Sequence, residues 1–265
     1  MDNRHDLGPL CYTLNVTQNQ AVTTLRAAGC VFAEDEAAVL ADAAAGDGDA
    51  LARMVARRAR GEPLEQVVGY ADFCGVRVRL RPGVFVPRVR SELLVRVAVA
   101  HAAEHGVVVD LCCGSGALGL AVERRRPTIH LYAADADPTA VACARDNLGA
   151  GRVYQGDLFG ALPPLAVDVL IANVPYVATR HLALLPAEAR DHEPPTALDG
   201  GDDGLDVFRR VVAEAPRWLA PGGMLLSEIT EAQIEQATSA VRAAGLRPGL
   251  ERDDDLEAIV VTAMR

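Results

Sequence analysis

Apolar and polar positions change their spacing twice along this chain. From residue 17 to about 66 apolar residues recur every three to four positions, and the segments 21–29, 34–46 and 49–61 each close on a glycine, the signature of short amphipathic helices. Asp49 is the expected N-cap of the third. From Gly69 the period falls to two through YADFCGVRVRLRPGVFV, with Gly75 and the pair Pro82-Gly83 as turn signals, which predicts a strand-rich connector. Arg77, Arg79 and Arg81 alternate there with Val76, Val78 and Leu80, as on a half-buried strand.

Ser91 and Glu92 then open an apolar-periodic helix through about Ala103, after which strand and helix patterns alternate to the C-terminus. Strands are expected at 107–111, 129–134, 153–155, 167–172, 224–229 and 258–262, and helices at 117–126, 138–148, 205–219 and 231–244. Alternation of this kind predicts an α/β fold built on a mostly parallel sheet. The expected organisation is a helical domain over 1–66, a β-hairpin connector over 67–92 and an α/β domain over 93–265.

Composition supports a globular chain: half of the residues are hydrophobic and 23% are charged. No stretch is both long and apolar enough to read as a membrane span. The opening MDNRHDLGPL carries acids and no apolar run, so a secretory signal is not expected and the cytoplasm is the default. The cysteines at 11, 30, 74, 112, 113 and 143 have no C-x-x-C spacing, which gives no metal site and no disulfide framework and leaves them as small apolar packing residues.

A net charge of −10 makes the whole chain a poor binder of polyanions. The charge is uneven, however. Nine arginines between Arg53 and Arg90 face only Glu62, Glu65 and Asp72, so a local basic surface is possible beside the plainer reading of a solvated strand face.

The chemistry lies in three places. Gly114-Ser115-Gly116-Ala117-Leu118-Gly119 follows a strand and opens a helix, where glycine lets backbone pass close to a ligand. Asp135 ends the next strand 21 positions after Gly114, the spacing at which an acid can accept ribose hydroxyls. That spacing fits a dinucleotide as well as S-adenosylmethionine; Asp110, just before the turn, resembles the acid that opens the first motif of methyltransferases, and that resemblance favours S-adenosylmethionine. Asp157, after the third strand, is similar in place to the carboxylate with which such methyltransferases meet the adenine amino group, with a solvated loop acid as the alternative. Last, Asn173-Val174-Pro175-Tyr176 follows the apolar run VDVLIA. The Asn173 oxygen and the Val174 carbonyl can accept the two hydrogens of an amide or amine nitrogen, Pro175 stiffens the loop, and Tyr176 can wall a planar group. His181 and His192 lie on a loop and are not assigned a role.

These motifs resemble the release factor glutamine N5-methyltransferase family, and the likeness extends to GEPLEQVVGYADFCGVRVRLRPGVFVPR, EPPTALDGGDDGLDVFRR and PGGMLLSEI. The resemblance implies a Rossmann-like, seven-stranded S-adenosylmethionine-dependent methyltransferase fold with a small N-terminal helical domain that recognises the substrate. It implies transfer of a methyl group to the glutamine of the Gly-Gly-Gln loop of peptide-chain release factors, by a cytoplasmic monomer without metal. Asn173 and the Val174 carbonyl would grip the glutamine amide, Gly114 and Gly116 the methionine end, Asp135 the ribose, and Asp157 the adenine. Two positions depart from the family pattern: Val174 replaces the first proline of Asn-Pro-Pro-Tyr, and PRVRSE replaces PRPETE, bringing in Arg90. The departures leave the protein target open; two alternatives stand beside the resemblance, methylation of a nucleic-acid base, whose exocyclic amines suit the same clamp, and a non-catalytic binding module on the same fold.

Overall fold

The computed structural model describes the backbone of residues 9–265 and side chains from Gln18 onward. Residues 1–8, within the stretch read for a secretory signal, and the side chain of Cys11 lie outside what is described. Two compact units divide the chain after Gly69.

The first unit holds four helices: α1 (Pro9–Ala27), α2 (Ala33–Ala44), α3 (Gly48–Arg58) and α4 (Leu64–Val68). Leu25, Leu40 and Leu51 form the centre of its core. The N-cap of α3 is Asp47, not Asp49: its carboxylate accepts from Asp49 N and Ala50 N at 2.9 and 3.0 Å, two N–H groups with no partner inside the helix. Arg58 is buried in this unit and pairs with Glu36 at 2.6 Å.

The second unit begins with an antiparallel hairpin, β1 (Tyr70–Phe73) and β2 (Val76–Arg79). Val78 is fully buried while Arg77 and Arg79 are exposed, the expected half-buried strand. Asn147 pins this hairpin near the glycine turn, accepting from Arg79 N at 2.9 Å and donating to the Arg79 and Ser115 carbonyls. The hairpin therefore belongs to the larger unit.

Next come α5 (Glu92–His101), β3 (Val107–Leu111), α6 (Ala117–Arg125), β4 (His130–Asp135), α7 (Pro138–Leu148), β5 (Val153–Gln155) and β6 (Val167–Ala172). They are followed by the short α8 (Ala187–His192), α9 (Asp206–Trp218), β7 (Leu219–Ile229), α10 (Ile234–Ala243), β8 (Arg247–Asp253) and β9 (Ala258–Met264). The seven-stranded sheet runs β5-β4-β3-β6-β7-β9-β8. Its first five strands are parallel, and β9 is antiparallel to both neighbours. Core residues cover both faces, which is why the central strands read as mostly apolar runs rather than alternating ones.

β8 was not anticipated. It is an edge strand of sequence RPGLERD with mostly exposed positions, and Pro248-Gly249 reads as a turn until a neighbour is there to pair with it. The helix expected from Glu231 starts with a 3-10 turn, Glu231–Gln233, closed by a capping box between Thr230 and Gln233.

Candidate active site

β3 and β6 are neighbours at the centre of the sheet, with Leu111 opposite Ala172. The chain therefore leaves both strands at the same edge, into the glycine turn from one and into Asn173 from the other. Strand order reverses here, since β4 and β5 extend to one side and β6 and β7 to the other, and such a reversal opens a crevice at the carboxyl ends. A cavity of about 770 Å³ fills it, lined by Gly114, Asp135, Asp157 and all four residues 173–176.

Backbone conformation marks the same place. Cys112 and Leu158 both line the cavity and hold left-handed φ values of 57° and 48°, conformations that cost side-chain-bearing residues free energy and collect at ligand sites. Gly114 also has positive φ, and nothing lies within 4 Å of where a Cβ would stand. Its N–H donates to Asp135 Oδ2 at 2.8 Å, while Asp135 Oδ1 accepts from Asp137 N at 2.9 Å. Burial pushes the Asp135 carboxyl up, and these backbone donors oppose it. Asp157 is largely exposed and pairs with Arg210 at 2.5 Å, a contact that solvent makes weak.

Two residues of the expected cofactor set do not line the cavity. Asp110 is fully buried behind the turn, accepting from Gly119 N at 2.8 Å, with its Oδ1 buried and unpartnered. Burial, against that one donor, pushes its carboxyl up to about 7. It shapes the turn from behind. Gly116 is required by packing: a Cβ there would stand 2.8 Å from Leu148 Cδ1, at a φ of 78°. Motif letters alone do not separate residues that face a ligand from residues that let the turn close. His181 and His192 do not line the cavity either.

The loop 173–176 is held on several sides. The Tyr176 carbonyl accepts from Gln233 Nε2 at 2.9 Å, and Gln233 also donates to the Asp203 carbonyl at 3.0 Å. Gly200 and Gly204 pack against the Pro175 and Tyr176 carbonyls so closely that no side chain fits. The Tyr176 hydroxyl donates to Glu228 Oε1 at 2.7 Å. Burial first, and the nearby Glu228 second, push its phenol far above the ordinary value, so it serves as a neutral donor. Arg90 pairs with Glu228 at 2.9 Å and lies over the Tyr176 ring, 5.5 Å from its centre.

Asn173 Nδ2 donates to Ser91 Oγ at 3.3 Å, and its Oδ1 is buried without a partner. Ser91, expected to start α5 as a cap, makes no capping bond; its hydroxyl donates to Glu228 Oε2 at 2.7 Å instead. Sequence reading missed Glu228, although a carboxylate inside the apolar run of β7 was the available signal. It also missed Glu193, whose buried carboxylate accepts from Val86 N at 3.1 Å and from Arg88 at 2.6 Å. Burial of the Cys112 and Cys113 thiols pushes both up, which favours the neutral thiol over the nucleophilic thiolate.

The basic segment is largely neutralised: Arg57, Arg58, Arg77, Arg81, Arg88 and Arg90 each pair with a carboxylate. Among the described residues no helix is long and apolar enough to cross a membrane.

The family model for the methyltransferase small domain matches residues 75–188. The release factor glutamine methyltransferase of Geobacter sulfurreducens is 38% identical over 186 residues, which is 69% of this chain and 66% of that protein. Its counterpart in Mycolicibacterium smegmatis is 39% identical over 228 residues, 77% of this chain and 79% of the relative. A 4-amino-L-phenylalanine/4-methylamino-L-phenylalanine methyltransferase of Streptomyces pristinaespiralis is 37% identical over 202 residues, 72% and 69% of the two chains. Among solved structures, a methyltransferase from Pyrococcus furiosus matches with a TM-score of 0.56 at 14% identity, covering 80% of this chain and 98% of that one, a likeness of fold. The chain belongs to the release factor glutamine methyltransferase family and is an S-adenosylmethionine-dependent methyltransferase.

Proposed function

We propose that this enzyme methylates the side-chain amide nitrogen of a protein glutamine, that of the Gly-Gly-Gln loop of peptide-chain release factors. The observation that carries the reading is the buried, unpartnered Oδ1 of Asn173. A buried acceptor without a donor costs about 1–3 kcal/mol, and a substrate N–H entering the cavity supplies the missing hydrogen.

The residues present suit S-adenosylmethionine, since Gly114 leaves open space for it and Asp135 offers carboxylate lone pairs at the cavity wall. When bound, it supplies an electrophilic methyl group on sulfur. Gly114 and Asp135 are assigned to the methionine end and the ribose, and Asp157 to the adenine amino group. Asn173 Oδ1 and the Val174 carbonyl accept the two hydrogens of the glutamine amide, which fixes its nitrogen in line for transfer. Val174 keeps a carbonyl where relatives of the usual pattern carry proline, so the acceptor survives the exchange. Asn173 cannot take the proton; it leaves late, to water, once methylation has made the nitrogen strongly acidic, so positioning and desolvation around the buried Asn173 oxygen carry the rate. Residues 1–66 are assigned to recognition of the protein substrate, and the reading includes a monomer working in the cytoplasm.

The test is to incubate the purified protein with methyl-labelled S-adenosylmethionine and the release factors of its own organism, then locate label by mass spectrometry. Parallel tubes hold nucleic acid and 4-amino-L-phenylalanine. Label on the Gly-Gly-Gln glutamine is expected; label only in another tube overturns the amide reading. The pairing of the basic segment argues against nucleic acid.

A further inference from the structure

An asparagine amide can face a cavity in two ways, and only one of them presents an acceptor. Its nitrogen and oxygen ends have nearly the same shape, so packing does not choose between them. Here the choice is made by a neighbour 82 positions away in sequence.

Glu228 lies near the end of β7 with 3% of its surface exposed, and a carboxylate accepts hydrogen bonds without donating any. It takes the Tyr176 hydroxyl at 2.7 Å and the Ser91 hydroxyl at 2.7 Å, and Arg90 supplies its counter-charge at 2.9 Å. Ser91, itself 3% exposed, has a single hydroxyl hydrogen. Once that hydrogen goes to Glu228, Ser91 Oγ can only accept, and the group within reach is Asn173 Nδ2 at 3.3 Å. This turns Asn173 Oδ1 away from Ser91 and leaves it buried with no partner.

We infer that Ser91 and Glu228 are positioning residues that set the polarity of the Asn173 amide, with Arg90 holding Glu228 as the accepting end of the chain. The inference deepens the proposed function, because it rests on Asn173 Oδ1 as the acceptor for the substrate nitrogen. It also gives Arg90 a place. The side chain that departs from the family pattern neutralises the carboxylate on which the orientation depends.

The chain of donors predicts an unusual order of activities. In Ser91→Ala the amide loses its bias; one long hydrogen bond is worth about a threefold to tenfold preference, so an unbiased amide lowers kcat by less than about twofold, whereas a reversed one lowers it by about threefold to tenfold. Glu228→Gln does worse. Its amide nitrogen can donate to Ser91 Oγ, the freed Ser91 hydrogen then goes to Asn173 Oδ1, and the nitrogen end turns into the cavity. That reversal passes through Ser91, so the double variant Ser91→Ala/Glu228→Gln recovers to the level of Ser91→Ala alone. Ser91→Thr keeps the hydroxyl and keeps kcat.

The experiment measures kcat and KM for each variant with purified release factor and S-adenosylmethionine, cofactor affinity by calorimetry, and the Asn173 side-chain NH₂ signals by nuclear magnetic resonance on ¹⁵N-asparagine-labelled protein. Expected are a double variant more active than Glu228→Gln, unchanged cofactor affinity, and NH₂ proton exchange that is slow in the native protein and faster in Ser91→Ala. A double variant at or below Glu228→Gln, or NH₂ signals indifferent to Ser91, overturns the relay. Failure of the native protein to methylate release factor, with the NH₂ signals still dependent on Ser91, overturns the substrate and keeps the relay.

Discussion

Gly200→Ala tests whether the loop 173–176 sets the rate by its position. A Cβ at residue 200 would stand 2.6 Å from the Pro175 carbonyl oxygen and 2.6 Å from that of Gly204. Ordinary contact begins at 3.4 Å, so the methyl group is about 0.8 Å short against two carbonyl oxygens, and both obstacles are backbone. Neither can move aside as a flexible side chain does. The Pro175 carbonyl therefore shifts by roughly 0.4 to 0.8 Å, depending on how it shares the strain with Gly204. A misplacement of about 1 Å at a reacting centre costs on the order of 100-fold in rate, which scales to a loss of about 6- to 40-fold in kcat. Overpacking adds about 1–3 kcal/mol of destabilisation, visible as a melting point lower by several degrees. Cofactor affinity should hold, because Gly114 and Asp135 lie on other strand ends. The assay is methyl transfer to release factor under saturating cofactor, beside calorimetry with S-adenosylmethionine. Gly151→Ala, where no atom lies within 4 Å of the added carbon, is the control and should match the native protein. Native kcat in a folded Gly200→Ala protein refutes the argument that loop position limits the reaction.

Three further outcomes are expected. Asn173→Ala lowers kcat by about 100-fold or more while leaving the melting point unchanged or slightly raised, because the lost oxygen has no partner in the free enzyme; a marked drop in melting point would show the residue to be structural. Asp135→Ala weakens S-adenosylmethionine binding by about tenfold or more in calorimetry, since it removes a cavity carboxylate and the acceptor of the Gly114 N–H together; unchanged affinity would refute its assignment. Burial raises the Asp110 carboxyl to about 7 in the folded chain, against about 4 when unfolded. Folding therefore takes up a proton between those values, and stability falls as pH rises through that window. Asp135 is shifted the same way. Asp110→Asn, which carries no charge, should flatten the fall in urea denaturation midpoints between about pH 4 and 7, and an unaltered slope would refute it.

What the sequence made legible follows from how local each signal is. β3 and β6 lie within the expected limits because central parallel strands are buried on both faces and announce themselves as mostly apolar runs bounded by turns. β8 did not, because an edge strand needs no apolar face. In the site, the glycine turn and Asn173 could be placed at strand ends from local pattern alone, and the structure brings Gly114 and Asn173 to one cavity. Ser91 and Glu228 could not be linked. They are 137 positions apart, and the contact between them exists only once α5 packs against β7. Arg88 and Glu193, 105 positions apart, are hidden for the same reason. Ser91 was moreover claimed by a stronger local rule, that of a helix cap, and the tertiary contact overrode it.

The two buried side-chain oxygens without partners among the described residues, Asp110 Oδ1 and Asn173 Oδ1, both sit at or near the carboxyl ends of the central strands. They are not equivalent. A carboxyl group can lower the cost of its burial by binding a proton, and the upward shift of Asp110 is that response. An amide has no such escape in this pH range, and here the Ser91 contact keeps it from turning its nitrogen to the vacant side. The cost at Asn173 therefore persists in the free enzyme and is relieved only by a donor from outside. Asp110 does not line the cavity at the strand ends, and Asn173 does. Of the two positions, the one that cannot titrate is the one at the cavity, where the proposed function docks the glutamine amide.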